Sequence, residues 1–405
     1  MRLLASLVIL FAALVGPVSA DQHIDLNAPI EYGPRPAYLI SQMADSPLKT
    51  KLQSCAGQTP KRTLFSIGHR GAPVMFPEHT VQSNVAAARM GAGILECDVT
   101  FTADLELVCR HAQADLHKTT NIMTSDLAGK CLSPSASPTG KTKDGCYTTD
   151  LTLAEFRELS PNMDAANRSA AAQMVYSGRG DTWLSDVMTS EATLLSHSDS
   201  IALFRALGAK FTPELKAPDV KMPFNGFTQE DYAQKLVDAY KGAGVPASDV
   251  WMQSFNYNDV LYWIENEPEF GAQAVYLDAQ YRNNAFDPMD PNTWARSMAQ
   301  FKADGVNYLA PPMWMLVTLK DGEIVPSTYA KQARAAGLQL ITWTLERSGP
   351  LNRGGGWYFQ SVADAISNDG DYYEILDVLA QDVQITGIFS DWPATATYYA
   401  NCMGL

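Results

Sequence analysis

The sequence predicts an α/β chain built on a closed (β/α)8 barrel of the TIM type, with loop insertions on the active-site face. Three observations lead there. Short apolar runs alternate with helical stretches along most of the 405 residues. Their strand-then-helix spacing is that of parallel βα units. Roughly eight such units occur in one chain, the number at which a parallel sheet closes on itself. Composition agrees, because 46% hydrophobic and 18% charged residues, with 27 Gly and 23 Pro spread along the sequence, exclude disorder, collagen and coiled coil.

Taken in order, residues 1–20 read as a secretory signal peptide. Arg2 supplies the positive start, Leu3 to Val15 is an apolar run, and Val18-Ser19-Ala20 is a small-residue cleavage site. The competing reading, an uncleaved anchor, needs about 20 apolar residues. No later segment is long and apolar enough to span a membrane, so the expected location is secreted or periplasmic. Residues 21–62 form an N-terminal extension with few periodic features, and residues 63–405 form the barrel. Its β-type runs are Leu64 to Gly68, Ile94 to Val99, Leu105 to Arg110, Phe211 to Leu215, Val250 to Phe255, Gln273 to Leu277, Gly305 to Leu309, Leu338 to Thr344 and Thr386 to Phe389. Nine runs for eight places leave one peripheral. Helical patterns cover Val81 to Met90, Gln229 to Lys241, Tyr257 to Asn266, Thr293 to Ala303, Ser327 to Ala336 and Tyr372 to Gln381.

Two insertions, near 112–150 and 347–360, follow candidate strands and so belong to the face where barrel loops build active sites. The first is rich in Ser, Pro, Thr and Lys; the second holds three consecutive glycines, Gly354 to Gly356. The six cysteines (55, 97, 109, 131, 146 and 402) include no CxxC and no zinc spacing, which in an exported chain favours disulfides. A local Cys131–Cys146 bridge is the simplest pairing, worth about 3 kcal/mol in the chain-entropy view. Asn167-Arg168-Ser169 is a glycosylation sequon. With 30 basic against 44 acidic residues and a net charge of −14, the chain lacks the basic stripe of a nucleic-acid binder.

Four constellations carry chemistry. Gly68-His69-Arg70-Gly71 ends the first run and Pro77-Glu78-His79-Thr80 opens the next helix. A histidine beside an arginine at a strand's carboxyl end offers proton transfer next to a fixed cation able to hold phosphate oxygens. In Leu95-Glu96-Cys97-Asp98-Val99, strand alternation puts Glu96 and Asp98 on one face and Cys97 on the other. Two carboxylates inside an apolar strand need a counter-charge, and a hard divalent cation is the economical one; a solvated edge strand is the alternative. Val108-Cys109-Arg110-His111 ends another run, and His111 shares the mouth with His69 if both runs belong to the barrel. Pro213-Glu214-Leu215-Lys216 places Glu214 and Lys216 on one face, either as a third metal carboxylate with a phosphate-binding ammonium or as an ordinary ion pair.

Order and residues together resemble the glycerophosphodiester phosphodiesterase family across about residues 64–400. The resemblance rests on HRG, PEHT, LECDV, His111, PELKAP, Gln253-Ser254-Phe255-Asn256, Trp343-Thr344 and Gly387-Ile388-Phe389-Ser390-Asp391-Trp392-Pro393, and it is closest to the periplasmic branch. It implies a TIM barrel and a Ca2+- or Mg2+-type ion on Glu96, Asp98 and Glu214. Catalytic histidines at 69 and 111, phosphate contacts from Arg70 and Lys216, and Trp343 beside the glycerol moiety follow from the same resemblance. The chain departs from the family in having Ala112 after His111 where an aspartate is usual; Asp115 is the available substitute. The implied reaction is metal-dependent hydrolysis of a small glycerophosphodiester to glycerol 3-phosphate and an alcohol. Rival readings are a sphingomyelinase D-like phospholipase and a cell-surface barrel that binds ligand with little turnover.

Overall fold

The computed structural model describes residues 28–131, 145–163, 192–348 and 350–405. The leader, the sequon and part of the first insertion lie outside them. The strands are β1 (Thr63–Gly68), β2 (Ala92–Phe101), β3 (Leu107–Cys109), β4 (Lys210–Leu215), β5 (Gln253–Ser254), β6 (Val275–Tyr276), β7 (Tyr308–Leu309), β8 (Val317–Lys320), β9 (Glu323–Pro326), β10 (Gln339–Leu345) and β11 (Gly387–Ser390). Eight of them are parallel neighbours in the order β1-β11-β10-β7-β6-β5-β4-β2, and β1 also pairs with β2, so the sheet closes.

The peripheral run is Leu105 to Arg110. Its ordered part, β3, is antiparallel to β2, with Val99 opposite Cys109 and Phe101 opposite Leu107. The condition attached to His111, that its run belong to the barrel, is not met: His111 comes from a hairpin folded back on β2. A short link between two consecutive runs leaves no room for the crossover that a parallel pair requires. A second hairpin, β8–β9, escaped the reading although Asp321-Gly322 between two alternating runs is a hairpin signal.

Barrel strands have a period of two, and it divides their side chains between two cores. Ile67, Ile94, Trp251, Val275, Leu277, Ala310, Ile341 and Phe389 pack as the barrel interior. Leu95, Cys97 and Val99 face the outer core under the helices. Inward positions are thus apolar deep in the barrel and polar one step nearer its carboxyl end.

The helices lie close to where the periodicity predicts, and most are opened by a side-chain cap, the helix Asp371–Asp377 being an exception. Thr80 accepts from the Ser83 N–H before the helix Val81–Arg89, and Thr228 with Asp231 forms a capping box before Gln229–Gly242. The stretch expected as Thr293 to Ala303 is shorter: a 3-10 turn at Pro291–Thr293 precedes a helix over Met298–Ala303, capped by Ser297. The extension is also more ordered than expected, with helices Arg35–Gln42 and Pro47–Ser54. Cys55 joins this segment to Cys402 of the C-terminal helix Ala394–Met403. All six cysteines are paired, the other bridges being Cys97–Cys109 and the expected Cys131–Cys146. No described helix is long and apolar enough to cross a membrane.

Candidate active site

Alternation on β2 and β4 brings Glu96, Asp98 and Glu214 together. Asp98 stands opposite Glu214 in the parallel register, and the three carboxylates offer oxygens that all lie within 4.8 Å of one another. All three are buried. Burial, with Asp98 and Glu214 alongside, pushes the Glu96 carboxyl well above its usual range. Burial likewise raises Glu214 to about 8, although Lys216 opposes it. At Asp98 burial is outweighed by Lys216 and His79, which hold the carboxyl well below its usual range. Lys216 Nζ is 2.6 Å from Glu214 and 3.7 Å from Asp98. Lys216 and the Arg70 guanidinium, whose Nε is 3.7 Å from Asp98, still leave three buried carboxylates short of positive charge, and Asp98 Oδ1 has no hydrogen-bond partner. An all-oxygen donor set with a spare buried oxygen fits a hard divalent cation.

His69, just past β1, is held through Nδ1 by Asp391 Oδ1 at 2.5 Å. An ionised carboxylate can only accept, so Nδ1 carries the proton and Nε2 is left as the base. Burial lowers the His69 pKa to about 4 against the pull of Asp391, and His69 is neutral at physiological pH. His111 reaches the same cavity from the hairpin. Burial and then the Arg70 and Lys216 cations push its pKa well below the usual value, against Asp98 and Glu78. Asp115 does not replace the missing acid: its carboxylate accepts from the Ala112 N–H at 3.0 Å and lies 3.4 Å from Thr119 Oγ1.

The HRG and PEHT segments lock together. Arg70 adopts φ +57°, which turns its N–H onto Glu96 Oε2 at 2.8 Å. Gly71 follows at φ +91°, where a Cβ would meet Ser83 atoms at 2.3–2.8 Å, so only glycine lets the turn close on the helix. The Arg70 guanidinium donates to Glu78 at 2.7 Å, and Arg110 and Arg347 lie 3.6 and 3.8 Å from the same carboxylate. Glu78 is thereby held far below its usual range despite burial. His79, at the start of the next helix, meets Asp98 Oδ2 at 2.7 Å.

A cleft open to solvent, with about 420 Å³ of empty space, lies here, lined on its polar side by His69, Arg70, Glu96, His111, Glu214, Lys216 and Gln253. Gln253 donates to Glu96 at 2.9 Å. Phe255, Leu277, Trp343, Tyr358 and Phe389 form the apolar wall. Trp343 stacks with Trp357 at 5.8 Å and meets Tyr358 edge-on, so the 347–360 insertion does build the mouth. Every expected site residue except Asp98 lines the cavity, and Asp98 sits just beneath it among the carboxylates.

Glu78, Asp391, Gln253, His79, Arg347 and Tyr358 had no role assigned from sequence. The signal was partly present, since PEHT, QSFN and FSDWP contain four of them. Their importance comes from partners far along the chain.

Comparison with known proteins agrees with this geometry. Residues 69–395 match the glycerophosphoryl diester phosphodiesterase family. A protein of Arthroderma benhamiae named "Extracellular protein" is 43% identical over 249 residues, which is 60% of this chain and all of that one. The glycerophosphodiester phosphodiesterase of Haemophilus influenzae is 26% identical over 363 residues, 82% of this chain and 88% of that one. A crystal structure from Silicibacter pomeroyi, named as a candidate glycerophosphoryl diester phosphodiesterase, superposes with a TM-score of 0.56 at 17% identity, covering 88% of this chain and 98% of the other. The chain belongs to the glycerophosphoryl diester phosphodiesterase family.

Proposed function

We propose that this phosphodiesterase hydrolyses glycerophosphodiesters to glycerol 3-phosphate and an alcohol, with a divalent cation of the Ca2+ or Mg2+ type on Glu96, Asp98 and Glu214. The observation that carries the reading is the convergence of two neutral histidines, two fixed cations and a carboxylate cluster on one small cavity. When bound, the cation supplies Lewis-acid stabilisation of phosphate charge. Arg70 and Lys216 hold the non-bridging oxygens. His69 takes the nucleophile's proton at Nε2, because Asp391 stabilises the imidazolium that forms. His111 delivers the other proton to the leaving alkoxide, its affinity for that proton raised by the bound phosphate's charge. Trp343 and Tyr358 exclude water from the glycerol side.

The catalytic unit is residues 63–405, and the described part of the 21–62 extension, from residue 28 on, is strapped to it by Cys55–Cys402 and by Arg35, whose guanidinium is 3.7 Å from Glu346 beside the mouth. Residues 1–20 direct export; three disulfides and the Arthroderma benhamiae relative named as extracellular support that part.

The test is hydrolysis of glycerophosphocholine with and without a chelator, with both phosphate-bearing and alcohol products identified. Glycerol 3-phosphate and choline are expected, with turnover abolished by chelation and restored by the divalent ion. Glu96→Gln should weaken cation binding in calorimetry. Full activity in chelator, or phosphocholine as product, rejects the reading.

A further inference from the structure

His69 and His111 are held in different ways. The His69 ring has the Asp391 carboxylate on Nδ1, whereas the His111 ring makes no hydrogen bond among the described residues, and Asp115, the carboxylate closest to it in sequence, is spent on its own turn. What fixes His111 is backbone. The Cys109 N–H donates to Leu195 O at 3.0 Å, and the Arg110 N–H donates to Asp98 O at 2.7 Å. The Arg110 guanidinium is clamped on Glu78 O at 2.7 Å. The strand beneath is only three residues long, Leu107–Cys109, at the rim of the barrel. Three residues of antiparallel ladder fray readily on their own. The Cys97–Cys109 bridge closes that hairpin at its end nearest the site. Cys97 lies between Glu96 and Asp98 on the opposite face of β2, and both cysteines are about 1% exposed.

We propose that the Cys97–Cys109 disulfide is a positioning device for His111, tying the proton-transfer group to the strand that carries the carboxylates and replacing the hydrogen-bonded acid absent at Ala112. Cys97 and Cys109 are positioning residues and touch no substrate. The proposal rests on the role given to His111 above.

A double-mutant cycle tests it. The Cys97→Ala/Cys109→Ala enzyme should lose roughly 10- to 100-fold in kcat, the scale of a misplaced catalytic group. Its KM and calorimetric cation affinity should stay within about twofold of wild type, the reach of additive noise between independent sites. In a His111→Ala background the same double change should cost nothing more. Unchanged kcat, an equal loss in that background, or a matching loss of cation affinity overturns the proposal. Cys97→Val/Cys109→Ala, which refills the volume, is the second version; if neither folds, the bridge is a folding staple and the proposal fails. Should the enzyme turn over no glycerophosphodiester, histidine-ring NMR still decides. The His111 signal, assigned by its loss in His111→Ala, should broaden or split on removing the bridge while that of His69 stays put; a sharp, unmoved His111 signal refutes the positioning role.

Discussion

His69 and Asp391 meet at 2.5 Å across the seam where the barrel closes, β1 against β11, although 322 residues separate them. Arg347 Nη1 touches the other oxygen of the same carboxylate at 3.1 Å. Through Asp391, the insertion after β10 and the last strand together orient a side chain at the end of the first. His69 and Arg347 also keep the Asp391 carboxyl below its usual range against the effect of burial.

Asp391→Asn should therefore lower kcat by roughly 10²-fold, because an amide can turn its NH2 toward Nδ1 and favour the other His69 tautomer, and it lacks the charge that stabilises the imidazolium. KM should change little. Since the Asp391 charge raises the His69 pKa, its loss should also move the acid limb of the kcat/KM profile to lower pH. A pH–rate series on both enzymes measures the two effects together, and an unshifted limb with normal kcat contradicts the role.

Replacing either histidine by alanine should lower kcat by roughly 10²- to 10⁴-fold with folding intact. In the proposed mechanism the pair acts as a unit, so the double variant should lose little more than the worse single one. Single-turnover rates for the three variants test this. A nearly normal His111→Ala enzyme beside an inactive His69→Ala enzyme transfers the second proton to another group.

Acid stability should depend on His197, a buried histidine outside the cavity whose ring lies within 4.8 Å of the Cys97 and Cys109 sulfurs. Burial lowers its pKa to about 3 in the fold, against about 6.5 unfolded. Protons then bind the unfolded chain more readily, so the contribution is whole above about pH 6.5 and is lost as pH falls toward 3, at up to about 1.4 kcal/mol per pH unit. His197→Phe keeps the ring against Tyr240, now at 5.2 Å, and cannot be protonated. Urea unfolding at pH 7, 5 and 4 should give a shallower acid limb for the variant; parallel limbs contradict the assignment.

The glycine run in the mouth loop should be sensitive at one position above its neighbour. Gly355 has φ +67°, and a Cβ there would lie 2.6–2.8 Å from the buried Phe359. Gly354 has φ +83° with nothing within 4 Å. Gly354→Ala should cost about 1 kcal/mol of backbone strain. Gly355→Ala should cost more and raise KM several-fold, because Trp357 and Tyr358 follow directly and Tyr358 lines the cavity. Thermal melts and KM for both variants make the comparison, and equal KM values dissociate the loop from the site.

Much of this molecule is written locally. The alternation that aims Glu96, Asp98, Glu214 and Lys216 inward is a property of single strands, legible because a pleated strand admits only one pattern. The βα repetition likewise announced a barrel, since parallel strands with helical crossovers have few ways to bury both faces. Other features waited for the closed sheet. Only strand pairing showed that Leu105 to Arg110 folds back as a hairpin and that Cys97 meets Cys109. The three arginines around Glu78 come from three separate segments, and Asp391 reaches His69 only because β11 lies beside β1. Such partnerships are set by strand order and register over hundreds of residues, whereas local pattern carries information over only a few. Sequence therefore names the reactive groups, and tertiary structure decides which neighbour holds each one in its working protonation state.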